Sequence, residues 1–166
     1  MIKKFDLGLI NGNVFTNKVF QTTSIGIKDK KIYSVENIKE KDCLKYIDCS
    51  DKIIIPGVID SQVHFREPGL EHKEDIFHGT KSAVLGGVTT IFEMPNTSPA
   101  TINKKELNKK LKIAKSKSWT NFAFFVGACN ENLDRLSLLE TLPGCAGIKI
   151  FMGSSTGNLL VSGDKE

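Results

Sequence analysis

No apolar run in this sequence approaches the roughly 20 residues that a membrane-spanning helix requires. The opening Met1-Ile2-Lys3-Lys4-Phe5-Asp6 is basic, but Asp6 interrupts it before an apolar core of leader length can form, so no secretory leader is expected. Cysteine is sparse, and Cys43, Cys49, Cys129 and Cys145 show neither CxxC nor Cys/His spacing. That pattern argues against a disulfide framework and a zinc knuckle, and it points to reduced thiols in a cytoplasmic protein. Gly86 and Gly87 do not belong to a GxGxxG, so a dinucleotide site is unsupported. No nucleic-acid-binding motif accompanies the net charge of +4. The lysines Lys104, Lys105, Lys109, Lys110, Lys115 and Lys117 read instead as solvated helix faces, with at most a mild preference for an anionic substrate.

What remains is a globular composition, 40% hydrophobic and 25% charged over 166 residues, which excludes disorder of the whole chain. Residues 1–55 read as short strands with turn punctuation, a small β-rich segment. Asn11-Gly12-Asn13 is a hairpin signal, because Asn and Gly tolerate the positive φ of tight turns. Lys28-Asp29-Lys30-Lys31 turns the chain again. Ile53 to Ile59 is an apolar run suited to a buried strand. From 56 onward strands and helices alternate, the signature of βα units and a parallel sheet. Strands are predicted over 58–63, 88–94, 121–127 and 146–152. Helices are predicted over 74–85, ended by Gly86-Gly87, over a stretch capped by Asn103 with Glu106 three residues later, and briefly over 132–139.

Four such steps in about 110 residues have the pitch of an eight-stranded barrel, which typically needs roughly 250 residues. The expected fold class is therefore α/β, the first half of a (β/α)8 TIM-type barrel preceded by a β-sandwich segment and incomplete as it stands.

The polar stretch Asp60-Ser61-Gln62-Val63-His64-Phe65-Arg66-Glu67-Pro68-Gly69 falls at the C-terminal end of the first barrel strand. Parallel α/β proteins place their chemistry there. Alternation puts Asp60, Gln62 and His64 on one face, with Arg66 in the loop beyond. Asn96 follows the second strand, and Lys149 lies on the fourth between Ile148 and Ile150. A lysine inside a sheet is costly unless it is paired, chemically modified or snorkelling from an edge. His72, in a loop, and His78, in a helix, stand apart from this set. Ser154, Ser155 and Thr156 have no partnered base and read as loop hydrogen-bonders.

The blocks Pro56-Gly57-Val58-Ile59-Asp60, Val63-His64-Phe65-Arg66-Glu67-Pro68-Gly69, Gly86-Gly87-Val88-Thr89-Thr90, Met94-Pro95-Asn96-Thr97 and Gly147 to Ser155 together resemble the dihydroorotases of the amidohydrolase superfamily. The resemblance runs over essentially the whole chain, but over only the N-terminal portion of such an enzyme. It implies zinc, as one or two ions, at the barrel mouth. It makes His64 a metal ligand and Lys149 a ligand as its carbamate, which turns a cation into a two-oxygen anion able to bridge metals. Gln62 stands where most relatives have a first histidine, and a neutral amide oxygen is a poorer zinc ligand than imidazole. Asp60 is by the same resemblance a supporting group. Arg66 and Asn96 match residues that hold the substrate carboxylate.

The implied reaction is the reversible closure of N-carbamoyl-L-aspartate to dihydroorotate, a step of de novo pyrimidine biosynthesis. The catalytic aspartate and further histidines are expected downstream. Neighbouring readings are hydantoinase, dihydropyrimidinase or allantoinase. Another is a non-catalytic dihydroorotase-like subunit, perhaps partnering aspartate transcarbamoylase, and a homo-oligomer is also compatible.

Half a barrel leaves open sheet edges and an uncovered apolar face. Residues 1–166 produced alone are therefore expected to be poorly soluble and inactive. Size-exclusion chromatography and a thermal melt check this, and a monomer with a cooperative transition would contradict it.

Overall fold

The computed structural model describes residues 4–153 and 159–161. Ser154, Ser155 and Thr156, read above as loop hydrogen-bonders, lie outside them, as do Met1, Ile2 and Lys3. The chain divides into two compact units, Met1–Pro56 and Gly57–Glu166.

The first unit is a five-stranded sheet of β1 (Phe5–Thr16), β2 (Val19–Lys28), β3 (Lys31–Glu36), β4 (Cys43–Asp48) and β5 (Ile53–Ile54). The order is β3-β2-β1-β4, with β5 beside β1. β1 pairs antiparallel with β2 and parallel with β4 and β5. Ile10, Gly12 and Val14 are buried in alternation, as a half-buried strand requires. Phe5, Ile38 and Cys43 form a small core.

The hairpin expected at Asn11-Gly12-Asn13 is not there. β1 runs through it, and Asn11, at φ 61°, sits where the β1–β2 register shifts between Leu9 and Gly12. The positive φ that Asn tolerates is used for a bulge, and the Asn11 amide N–H is held by Ser24 Oγ at 3.2 Å. The turn falls at Asn17-Lys18, whose φ values of 50° and 66° suit a tight hairpin. Asp29 and Lys30, at 52° and 62°, make the second turn where it was predicted.

The second unit is a four-stranded parallel sheet in the order β6-β7-β8-β9. Its strands are β6 (Val58–Val63), β7 (Val88–Glu93), β8 (Asn121–Gly127) and β9 (Cys145–Lys149). Helices α1 (Ile76–Leu85), α2 (Lys104–Lys117) and the short α3 (Leu136–Glu140) connect them. Asp75 caps α1 by accepting from the His78 amide, Gly87 beyond its end takes φ 88°, and Asn103 caps α2 by accepting from the Glu106 amide. Both helices thus begin where a side chain satisfies a terminal backbone N–H, and α1 ends at a glycine pair. Ile76, Leu107, Ala114, Phe124, Val126 and Leu139 make the core between helices and sheet.

The apolar run from Ile53 to Ile59 is not one buried strand. Pro56 and Gly57 divide it between the two units, and Val58 and Ile59 are exposed on β6, an edge strand with β7 as its neighbour in the sheet.

Lys110 departs most sharply from expectation. Read above as a solvated surface lysine, it is 1% exposed and lies on the buried face of α2 with Leu107 and Ala114. The helical period puts residues 107, 110 and 114 on one side, so the burial follows from position despite the charge.

Leu107→Ala should cost about 2–5 kcal/mol in a denaturant titration, since Leu107 is fully enclosed. Leu138→Ala, at an exposed position, should stay within about 0.5 kcal/mol of the parent. Equal costs would contradict the placement of the core.

Candidate functional site

The site forms where β6 and β7 deliver their chains to the C-terminal edge of the parallel sheet. β6 ends in a register shift between Asp60 and Val63, after which His64, Phe65 and Arg66 leave the strand. β7 ends at Glu93, followed by Met94, Pro95 and Asn96. The Met94 amide donates to Val63 O at 2.9 Å, so the two exits are tied at their bases. His64 Nδ1 then lies 2.9 Å from Asn96 Oδ1, and Arg66 Nη1 donates to Asn96 O at 3.4 Å. Three of the residues singled out in the sequence are thereby brought together.

With Asn96 Oδ1 as the acceptor, the neutral His64 tautomer that fits has its proton on Nδ1 and its lone pair on Nε2. That is the tautomer a metal-ligating imidazole needs, oriented by its second nitrogen. Asn96 is 6% exposed, and this hydrogen bond helps to justify its burial.

Gln62 is placed otherwise. Its backbone N–H donates to Asp60 Oδ1 at 3.0 Å, and the residue is exposed at the sheet edge. Asp60 therefore shapes the backbone ahead of His64. Lys149 ends β9, half-buried, with its Nζ 5.2 Å from the Phe151 ring centre. Among the described residues no group of three or more His, Cys, Asp or Glu side chains is arranged to hold a metal ion. The candidate donors are His64 and Lys149, with Gln62 as a weak third.

Two buried carboxylates that sequence reasoning passed over hold the loop that carries Arg66. Glu93, 0% exposed, accepts the Arg66 amide on Oε1 at 3.1 Å and pairs through Oε2 with Lys110 Nζ at 2.7 Å. Lys110 Nζ also donates to Met94 O at 3.2 Å and lies 4.8 Å from the centre of the Phe124 ring. Burial pushes the Glu93 carboxyl up and the Lys110 ammonium down from their ordinary values, and their mutual attraction opposes both shifts.

Glu67, the residue after Arg66, is also buried. It accepts the Ile76 amide on Oε2 at 2.9 Å and pairs through Oε1 with Lys117 Nζ. That hydrogen bond holds the Lys117 ammonium above its ordinary value. Lys110 and Lys117 are two helical turns apart on α2, so one helix face reaches both carboxylates.

Close approach completes the loop. Gly79 of α1 packs against the Phe65 ring where a Cβ would collide with it, and Gly69 takes φ 91° against the Ser98 backbone. His78 lies outside the site, paired with Asp75 at 2.8 Å on the exposed start of α1. His72 is exposed in its loop. A concavity lined by Ile102, Asn103, Arg135 and Leu139, among others, contains none of the candidate site residues.

The model of dihydro-orotase-like proteins matches residues 51–140, more than half of the chain and including the whole His64, Arg66 and Asn96 arrangement. The chain belongs to the dihydro-orotase-like family. A dihydroorotase of Pyrococcus horikoshii is 39% identical over 93% of this chain and 34% of its own length. An allantoinase of Escherichia coli is 34% identical over 90% of this chain and 33% of its own. Among solved structures, an L-hydantoinase (dihydropyrimidinase) from Arthrobacter aurescens superposes with a TM-score of 0.87 at 27% identity, covering 95% of this chain and 35% of that one. This dihydro-orotase-like chain thus spans about a third of the length of the relatives it matches. Its fold is α/β, and the parallel sheet is half of a TIM-type barrel.

Asp75 gives a pH signature. Its hydrogen bond from the His78 amide holds its carboxyl below the ordinary value. A depressed folded pKa contributes stability that is present above the unfolded value and lost as pH falls through the folded one. The wild type should therefore lose its advantage over Asp75→Asn, which keeps an oxygen for the cap, as urea midpoints are followed into acid. A difference that stays constant with pH would contradict this.

Proposed function

We propose that this chain supplies the N-terminal part of a dihydroorotase active site, which interconverts N-carbamoyl-L-aspartate and dihydroorotate in pyrimidine biosynthesis. The observation that carries the reading is the convergence of His64, Asn96 and the Arg66 guanidinium at one end of a parallel sheet. A guanidinium fork suits a planar carboxylate, and an amide beside it supplies neutral N–H donors. The substrate's free carboxylate is a feature of dihydroorotate that a plain hydantoin lacks.

The donor types present are ones that zinc takes. His64, with Nδ1 engaged by Asn96, offers Nε2, and Lys149 as its carbamate would add two oxygen donors. Gln62 makes the set weaker than one with two imidazoles, which favours a single firmly held ion. When bound, zinc supplies Lewis-acid polarisation of the ring amide carbonyl. This chain's own contribution would be to seat the substrate through Arg66 and Asn96, which would fix the orientation of its ring amide. Hydrolysis then adds water across the ring C–N bond, giving the open carbamoyl acid.

Four free cysteines are compatible with a reducing cytoplasm. Among the described residues no helix is long and apolar enough to cross a membrane. A homo-oligomer, or an assembly with aspartate transcarbamoylase, belongs to this reading as a proposal. The allantoinase and hydantoinase likeness supports a second reading, a cyclic amidase for substrates without the carboxylate. Gln62 motivates a third, a subunit without catalysis.

The protein purified from its natural gene should hydrolyse dihydroorotate in preference to hydantoin or allantoin, and should contain stoichiometric zinc. Arg66→Ala should raise the KM for dihydroorotate about 10- to 100-fold, the loss of a charge-assisted contact. Its melting temperature should change little. Preference for hydantoin would favour the second reading, and zinc at background without turnover would favour the third.

A further inference from the structure

A fully buried glutamate at the end of β7 has no role in the carboxylate or metal chemistry described so far, and removing its charge from water is costly. Apolar residues could anchor α2 on the sheet at lower cost. What an apolar residue cannot do is accept a hydrogen bond, and Glu93 Oε1 accepts one from the Arg66 backbone at 3.1 Å. Arg66 has φ 68°, a left-handed conformation that is unfavourable for a residue with a Cβ. Such a conformation persists only when its surroundings enforce it.

The other carboxylate oxygen is fixed by Lys110, whose Nζ reaches both Glu93 Oε2 at 2.7 Å and Met94 O at 3.2 Å. The same pair therefore grips the exit of β7, which runs directly into Asn96, and the loop from β6, which carries Arg66. We propose that Glu93, clamped by Lys110, is a positioning residue for Arg66: it holds the left-handed backbone that turns the guanidinium toward Asn96. The proposal rests on the carboxylate-binding role of Arg66 in the function proposed above. Glu93 acts through Arg66 and touches neither substrate nor metal.

The test separates the hydrogen bond from the ion pair, using the protein from its natural gene. Glu93→Leu/Lys110→Met removes both charges and the acceptor, whereas Glu93→Gln/Lys110→Met removes both charges and keeps an acceptor. The first should raise the KM for dihydroorotate about tenfold with kcat within about threefold, the loss of one well-placed contact. The second should restore KM to within about threefold of wild type, whatever either variant does to the melting temperature. Equal KM values in the two variants would assign the pair to anchoring α2 alone and overturn the proposal.

Should the leucine variant fail to fold, hydrogen exchange of the Arg66 amide in the unsubstituted protein decides. Protection comparable to β7 supports the clamp, and exchange at the rate of exposed loop amides overturns it. An unsubstituted protein with no dihydroorotate turnover would overturn the functional reading alone, and the Arg66 amide would still decide the clamp.

Discussion

A buried ion pair sets the geometry on which the site depends. Glu93 and Lys110 meet at 2.7 Å, with 0% and 1% of their side chains exposed, and between them they reach β7, α2, the Met94 carbonyl and the Arg66 amide. Such a pair is weak evidence for stability, because desolvation offsets most of the attraction. Its value lies in direction: charge-assisted hydrogen bonds fix orientation where apolar packing tolerates small slides. Glu67 and Lys117 repeat the arrangement one residue further along the loop, joining it to the start of α1. The chain around Arg66 is thus held from both sides by one face of α2, and the guanidinium has a rigid base.

Much of the fold was legible because its signals are local. Asn103 with Glu106, Gly86-Gly87 and the β-branched run from Val88 mark helix and strand limits by rules that need only neighbouring residues. The error at Asn11 arose because a positive φ serves a turn and a bulge equally well, and only pairing with β2 decides which is made. The division of the run from Ile53 to Ile59 depends likewise on which sheet each half joins.

The candidate site was legible to a different depth. His64, Arg66 and Asn96 stood out as polar residues at strand ends, and the structure adds the contacts among them. Glu93 and Lys110 were missed, since a glutamate closing a strand and a lysine in a lysine-rich helix look like solvated charges. A signal did exist: Lys110 falls three residues after Leu107 and four before Ala114, on the apolar stripe, and Glu93 shares a strand face with the buried Ile91. A charge on a buried face implies a partner on the element it packs against, and reading those two positions together would have found the pair. Lys149 was singled out from the sequence as well, but the contact described for its Nζ is with the Phe151 ring, and no described contact joins it to His64.

Sequence, fold and chemistry meet at the Arg66 guanidinium: a family motif supplies it, buried carboxylates hold its backbone, and the proposed function gives it a substrate carboxylate to bind. The most direct measurement of that chain of causes is a crystal structure of the natural gene product with dihydroorotate bound. The substrate carboxylate should lie within hydrogen-bonding distance of the Arg66 guanidinium and the Asn96 side chain, with Arg66 still left-handed and its amide on Glu93. A carboxylate bound elsewhere, with Arg66 turned away from it, would rule out Arg66 as its anchor.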